Sequence, residues 1–246
     1  TFVYAIISCR YGGYSMKYYN NNGKVVSFTT TSKINNTGCY GNIYRVEEDD
    51  NICLKELKDV EPKKPLTIFD DTPTVISEDI FNYFKNFNDP NFCKLYDLLY
   101  DKDKKVVAYT MKYYKSAIDN ILSMPVEYLV DNFNAIYDAM DRLAKDLVLV
   151  VDLHNRNMIL TSDNIVVVDF DKYRREESKS YDAILDINTS ALYYAFSKML
   201  NSALKSLGLA SANNKLLVSD LFSYGTDPLV LKRRLRGCRN VRDYFY

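Results

Sequence analysis

The sequence predicts an α+β fold in two parts, a β-rich N-terminal part and a mainly helical C-terminal part. Two patterns carry this. Short runs of β-branched and aromatic residues, broken by Asn, Gly and charged turns, fill residues 15–57. Farther on, Val130, Phe133, Ile136, Tyr137, Met140, Leu143 and Leu147 repeat at three and four residues, the spacing of an amphipathic helix. The 246 residues are 47% hydrophobic, enough for a core that needs neither disulfides nor a structural metal.

Taken in order, residues 15–19 and 24–30 are expected to form a hairpin about Asn20, Asn21, Asn22 and Gly23. A third strand is expected over 32–36, a fourth over 42–46 and a fifth over 52–57, with a polar turn at 47–51. The Pro-rich stretch 61–65 reads as a loop. Ser77, followed by Glu78 and Asp79, offers a capping hydroxyl and an acidic first turn to a helix over 80–87. Strands over 93–100 and 105–112 follow, joined by the charged turn 101–104. Beyond residue 116 the pattern turns helical. It then gives short apolar runs at 148–151, 158–160 and 165–168, a charged loop at 172–179, and helices over 186–201 and from Pro228. The two parts are expected to divide as residues 1–111 and 112–246.

Lys plus Arg equals Asp plus Glu at 32 each, so no global charge draws the chain to nucleic acid or an anionic membrane. Cys9, Cys39, Cys53, Cys93 and Cys238 are odd in number, scattered and without a C-x-x-C pair. That argues against a disulfide framework or zinc site and for a reducing, cytoplasmic compartment. The apolar run at 2–7 is too short to span a bilayer and lacks the marks of a signal peptide. The chain opens on Thr1 rather than Met, as a trimmed chain would. Near its end, Lys232, Arg233, Arg234, Arg236, Arg239 and Arg242 leave two readings open, a solvated helix face or a docking surface for an acidic partner.

The segment that carries chemistry is 151–171, V-D-L-H-N-R-N-M-I-L-T-S-D-N-I-V-V-V-D-F-D. Asp152 and Asn157 sit five apart on a loop that follows the long helix, and Asp169 ends an apolar strand across a turn at 161–164. Asp and Asn are also ordinary turn residues, so only their joint spacing is informative. That spacing sets three oxygen-bearing side chains at one edge of a hairpin. Phosphoryl transfer uses such a set, with a carboxylate to orient the attacking hydroxyl and hard oxygens for phosphate-bound Mg²⁺.

This segment resembles the protein-kinase catalytic loop and metal-binding triplet. The resemblance implies Asp152 as catalytic base, Asn157 and Asp169 as metal ligands, and ATP with Mg²⁺ (or Mn²⁺) between two lobes. Upstream, N-T-G-C-Y-G-N-I at 36–43 resembles a degenerate Gly-rich phosphate-covering loop, with Asn36 where the first glycine stands. Asn36, Gly38, Gly41 and Ile43 would then cover the nucleotide. Ile52, Cys53, Leu54 and Lys55 resemble the V-A-I-K element, which assigns Lys55 to the α and β phosphates. Glu78 is its expected partner, with Asp79 competing. Residues 106–114 resemble the strand and hinge, which turns the backbone of Lys112 and Tyr114 toward adenine. Asp186 resembles the buried aspartate that anchors the catalytic loop. Together these elements imply a two-lobed protein-kinase-like fold with a β-rich N-lobe and a mainly helical C-lobe.

Four departures narrow the expectation. Val150 and Val151 replace the His-Arg that precedes the catalytic Asp, leaving no receiver for an activation-loop phosphate. Only 16 residues separate Asp169 from Asp186, without an A-P-E element. Asp171 replaces the glycine of the triplet. His154 stands two after Asp152 in place of Lys, and D-L-H-x-x-N is closer to aminoglycoside and choline kinases. His154 leaves two readings open, contact with the γ-phosphate or a hydrogen bond that fixes the loop, the second favoured. The resemblance thus implies a compact Ser/Thr protein kinase, similar to minimal viral or bacterial effector kinases, some delivered into a host cell. It would not be regulated by activation-loop phosphorylation. A small-molecule kinase of the aminoglycoside, choline or sugar type, and a nucleotide-binding scaffold or pseudokinase, are the alternatives.

Overall fold

The computed structural model describes residues 14–34, 41–58, 75–118, 120–223 and 228–246. Asn36, Gly38, the loop at 61–65 and the end of the expected third strand lie outside them. The chain divides into two units. One takes the described residues up to Asn88 together with Cys93–Tyr114; the other takes Asp89–Phe92 and Lys115–Tyr246.

In the first unit six strands close into an antiparallel barrel, ordered β1-β2-β3-β4-β6-β5. They are β1 (Tyr14–Tyr19), β2 (Val25–Lys33), β3 (Gly41–Val46), β4 (Ile52–Leu57), β5 (Leu95–Tyr100) and β6 (Val106–Lys112). The first turn is built by side-chain chemistry. Asn20 Oδ1 accepts from the N–H groups of Asn22 and Lys24, each at 3.0 Å, and Gly23 takes a φ of +71°. Tyr18, Val46, Leu54, Leu99 and Ala108 pack as one buried cluster. Helix α1 (Glu78–Asn86) is capped by Ser77, whose Oγ accepts from Ile80 N–H at 3.3 Å, and it buries Ile80, Phe81 and Phe84.

This architecture corrects the expected fold class. The two-lobed protein-kinase-like fold is replaced by a closed six-stranded antiparallel barrel with five helices among the described residues. Alternating patterns and turn residues specify each strand and its neighbour in sequence, but not whether the outer strands meet. Register shifts in the β2–β3 and β5–β6 ladders bend the sheet, and Tyr19 of β1 pairs with Tyr100 of β5. The expected third strand, where described, is the end of β2.

The second unit holds α2 (Val126–Lys145), β7 (Val148–Leu149), β8 (Met158–Leu160), β9 (Ile165–Val167) and β10 (Arg174–Arg175). Helices α3 (Tyr181–Ser206), α4 (Ala212–Leu221) and α5 (Pro228–Arg234) follow. The apolar stripe of α2 buries Phe133, Ile136, Met140 and Leu143, and Phe133 meets Phe196 of α3 edge-to-face at 5.1 Å. β8 and β9 form a hairpin, and β7 pairs with β10. Two local expectations change. The strand expected over 148–151 is only two residues long, and the charged loop expected at 172–179 contains its partner, β10. The helix expected from residue 186 starts at Tyr181, because Ser180 Oγ caps Ala183 N–H at 3.3 Å.

Candidate active site

The loop that carries Asp152 is suspended from α3. Val150 N–H donates to Asn188 Oδ1 at 2.8 Å, and Asn188 Nδ2 donates to Val148 O at 3.0 Å. Asn188 is fully buried, and its amide satisfies backbone groups on both sides of Leu149. Asp186, expected to be this anchor, is exposed, which corrects the assignment. The early start of α3 is the reason. Asn188 shares the inward face with the buried Ile184 and Leu192, four residues to either side, and Asp186 does not.

Asp152 has a φ of +67°, in the left-handed region that non-glycine residues seldom occupy. His154 Nδ1 accepts from Arg156 N–H at 3.1 Å and caps a 3-10 turn over Asn155–Asn157, so the neutral ring carries its proton on Nε2. The hydrogen bond to Arg156 N–H is the loop-fixing contact, the second of the two readings given for the lone histidine. Asn157 Nδ2 donates to Asp152 O at 3.0 Å. A carbonyl can only accept, so the amide nitrogen is committed there, and Oδ1 remains as its ligand atom. Val168 N–H donates to Asn157 O at 2.9 Å, directly before Asp169. Asp169 is also left-handed, at φ +70°. The buried Phe170 beyond it stacks on Phe92 at 6.2 Å and meets Tyr173 at 5.3 Å. Such a backbone conformation costs about 1–3 kcal/mol, and of the four described non-glycine residues that adopt it, Lys104, Leu147, Asp152 and Asp169, two carry the carboxylates of this site.

Asp152 Oδ2 lies 2.8 Å from Lys172 Nζ, and Oδ1 lies 3.9 Å from His154 Nε2. Lys172 lies in the turn closed by Tyr173 N–H on Phe170 O, and the β7–β10 ladder, with Arg174 opposite Leu149, fixes the chain two residues beyond it. Burial drives the Tyr173 hydroxyl far above its usual range, and the charges of Asp169 and Asp152 push it the same way, so both carboxylates act on one group. Lys172 and Asn188 are the residues that sequence reasoning missed. A polar residue at a core position of an apolar helix was the one signal for Asn188; Lys172 had none.

The remaining candidates belong to the first unit. Lys55, on β4, is only 3% exposed, stands opposite Ile43 and Tyr109, and has its ammonium 5.4 Å from the Tyr109 ring. Gly41 makes room for it. A Cβ there would lie 2.9 Å from Glu56 O and 3.0 Å from Lys55 Cε. Ile43 is half-buried. Glu78 is exposed and accepts from the Tyr100 hydroxyl at 3.1 Å. Lys112 N–H donates to Lys94 O at 2.9 Å, and Lys112 O accepts from the thiols of Cys93 at 3.8 Å and Cys53 at 3.9 Å. Burial pushes the Tyr114 hydroxyl up to about 12, and the Lys112 ammonium lies 5.2 Å from the Tyr114 ring.

Asp169 and Asn157 offer hard oxygen donors of the kind Mg²⁺ takes, with phosphate and water to complete the shell. Among the described residues no group of three or more His, Cys, Asp and Glu side chains forms a metal site. In the same set no helix is long and apolar enough to cross a membrane. In the tail, Lys232, Arg233, Arg236, Arg239 and Arg242 are exposed, and Arg234 pairs with Asp220 at 3.2 Å. The chain matches no protein-family model and no curated protein.

Proposed function

We propose that this chain is an ATP- and Mg²⁺-dependent phosphotransferase that acts on a hydroxyl acceptor, a Ser or Thr of a protein. The observation that supports this best is the tethering of Asp152, Asn157 and Asp169. One hydrogen bond ties Asn157 to Asp152, and the hairpin bond from Val168 to Asn157 O sets Asp169 beside them. In this reading Asp152 accepts the proton of the attacking hydroxyl. The acceptor oxygen bonds to the γ-phosphorus as the bond to the ADP oxygen breaks. Asn157 Oδ1 and Asp169 would hold the metal, which would supply positive charge to offset that of the phosphates. Lys55, with Gly41 and Ile43, contributes to nucleotide binding on the strength of the sequence pattern. The chain works in a reducing compartment, the cytoplasm.

Activity does not depend on phosphorylation after Asp169. Val151 stands where an arginine would receive that phosphate, and only a short segment with β10 lies between Asp169 and the Ser180 cap of α3. A protein acceptor is favoured because residues 115–125 leave no room for the large helical insertion that small-molecule kinases carry after the hinge.

Incubation with γ-labelled ATP and Mg²⁺ is expected to label dephosphorylated casein or the chain itself. Asp152→Asn is expected to lower kcat by about 10²–10⁴-fold with ATP binding retained. Asp169→Ala should remove Mg²⁺-dependent transfer altogether, and retained transfer would sink the site assignment. Label found only in a small-molecule fraction replaces the protein acceptor with a small one. ATP binding without turnover, unchanged by the Asp152 substitution, makes the chain a scaffold.

A further inference from the structure

Resting on the phosphotransferase reading, the geometry points to Lys172 as the positioning residue of Asp152: it holds Oδ2 and so makes Oδ1 the atom that receives the acceptor's proton. The backbone of Asp152 is already fixed. Asn157 holds its carbonyl, and Asn188 holds Val150 two residues upstream. The freedom left in an aspartate is the broad, roughly two-fold torsion of its carboxyl group. Lys172 Nζ closes that freedom from one side, 2.8 Å from Oδ2. His154 Nε2, at 3.9 Å from Oδ1, is beyond hydrogen-bond reach and leaves that oxygen its lone pairs.

The lysine itself stands on a rigid base. Tyr173, next in sequence, is buried and its N–H donates to Phe170 O at 3.0 Å. Arg174 is locked in register with Leu149. The Lys172 side chain is 20% exposed against 39% for Asp152, so the pair is only partly screened by solvent. The clamp comes from the segment behind Asp169 and not from the Asp152 loop. One short stretch, Asp169 to Lys172, therefore sets both a metal ligand and the orientation of the base.

The test is a double-mutant cycle on the full chain, with ATP, MgCl₂ and dephosphorylated casein. Lys172→Met is expected to lower kcat by about 10- to 100-fold, with KM for ATP and for casein changed less than about threefold. Lys172→Arg, which keeps the charge, should recover kcat to within about fivefold of the unaltered chain. In the Asp152→Asn background, Lys172→Met should cost no more than about a further twofold, because its effect runs through Asp152. A raised KM for ATP with kcat intact overturns the inference and makes Lys172 a phosphate ligand. Equal losses in both backgrounds also overturn it. If Lys172→Met does not fold, Lys172→Gln is read by the same criteria. An unaltered chain that transfers no label to casein or to itself refutes the phosphotransferase reading, a result distinct from failure of the cycle.

Discussion

Asn188 shows how much one buried amide governs the position of the loop that carries Asp152. Its oxygen and nitrogen take the N–H of Val150 and the carbonyl of Val148, backbone groups of two buried residues. Asn188→Leu keeps the volume but leaves both backbone groups buried without partners, at about 1–3 kcal/mol each. Urea unfolding should therefore show a loss of roughly 2–5 kcal/mol, and kcat should fall with it, because the loop leading to Asp152 is released. Asp186→Ala, on the exposed face of the same helix, should cost less than Asn188→Leu. The reverse ranking would restore Asp186 as the anchor. The loop and hairpin that carry Asp152, Asn157 and Asp169 were legible because their turn residues and apolar runs are local signals. The supports were not, because an asparagine on an apolar helix face and a lysine in a charged loop reveal their roles only once the partner backbone is placed.

At the scale of elements, the β8–β9 hairpin is the frame that delivers Asp169, and it is fastened by a second buried amide pair. Asn132 Oδ1, on α2, accepts from Ile165 N–H at 2.6 Å and from Asn91 Nδ2 at 2.7 Å. Asn91 donates also to Ile165 O at 2.9 Å, and its own carbonyl accepts from Val167 N–H at 2.7 Å. Asn132→Leu removes the acceptor from two buried donors at once, so a loss of about 2–5 kcal/mol is expected. Hydrogen exchange should show Ile165 losing protection ahead of the barrel strands, since the defect is local to β9. Uniform loss across the chain, or none, would show that the network does not hold the hairpin. Both hairpin strands could be read from their apolar runs. The β7–β10 ladder could not, since two residues per strand carry no periodic pattern, and yet this ladder fixes the chain just beyond Lys172.

For the whole molecule, closure of the barrel was hidden because it rests on one long-range pairing, Tyr19 with Tyr100, to which no local signal points. The distribution of charge, by contrast, is read directly from the sequence and sharpened by the structure. The chain is neutral, but residues 228–246 hold six Lys and Arg against one Asp, so an equal acidic excess lies elsewhere. That single anion, Asp243, is spent on the N–H groups of Arg239 and Asn240, which hold its carboxyl below the ordinary range. Arg234 is taken by Asp220, and the other five cations are exposed. Such a surface fits an acidic protein partner, and the effect should show in association more than in chemistry. Changing Lys232, Arg233 and Arg236 together to Glu is expected to raise KM for casein, an acidic acceptor, by about tenfold or more at low salt. The difference should shrink toward 0.5 M NaCl, where screening reaches roughly 4 Å. Transfer to a short neutral Ser peptide should keep its kcat and KM. An unchanged KM and salt dependence on casein would leave the tail as a solvated face.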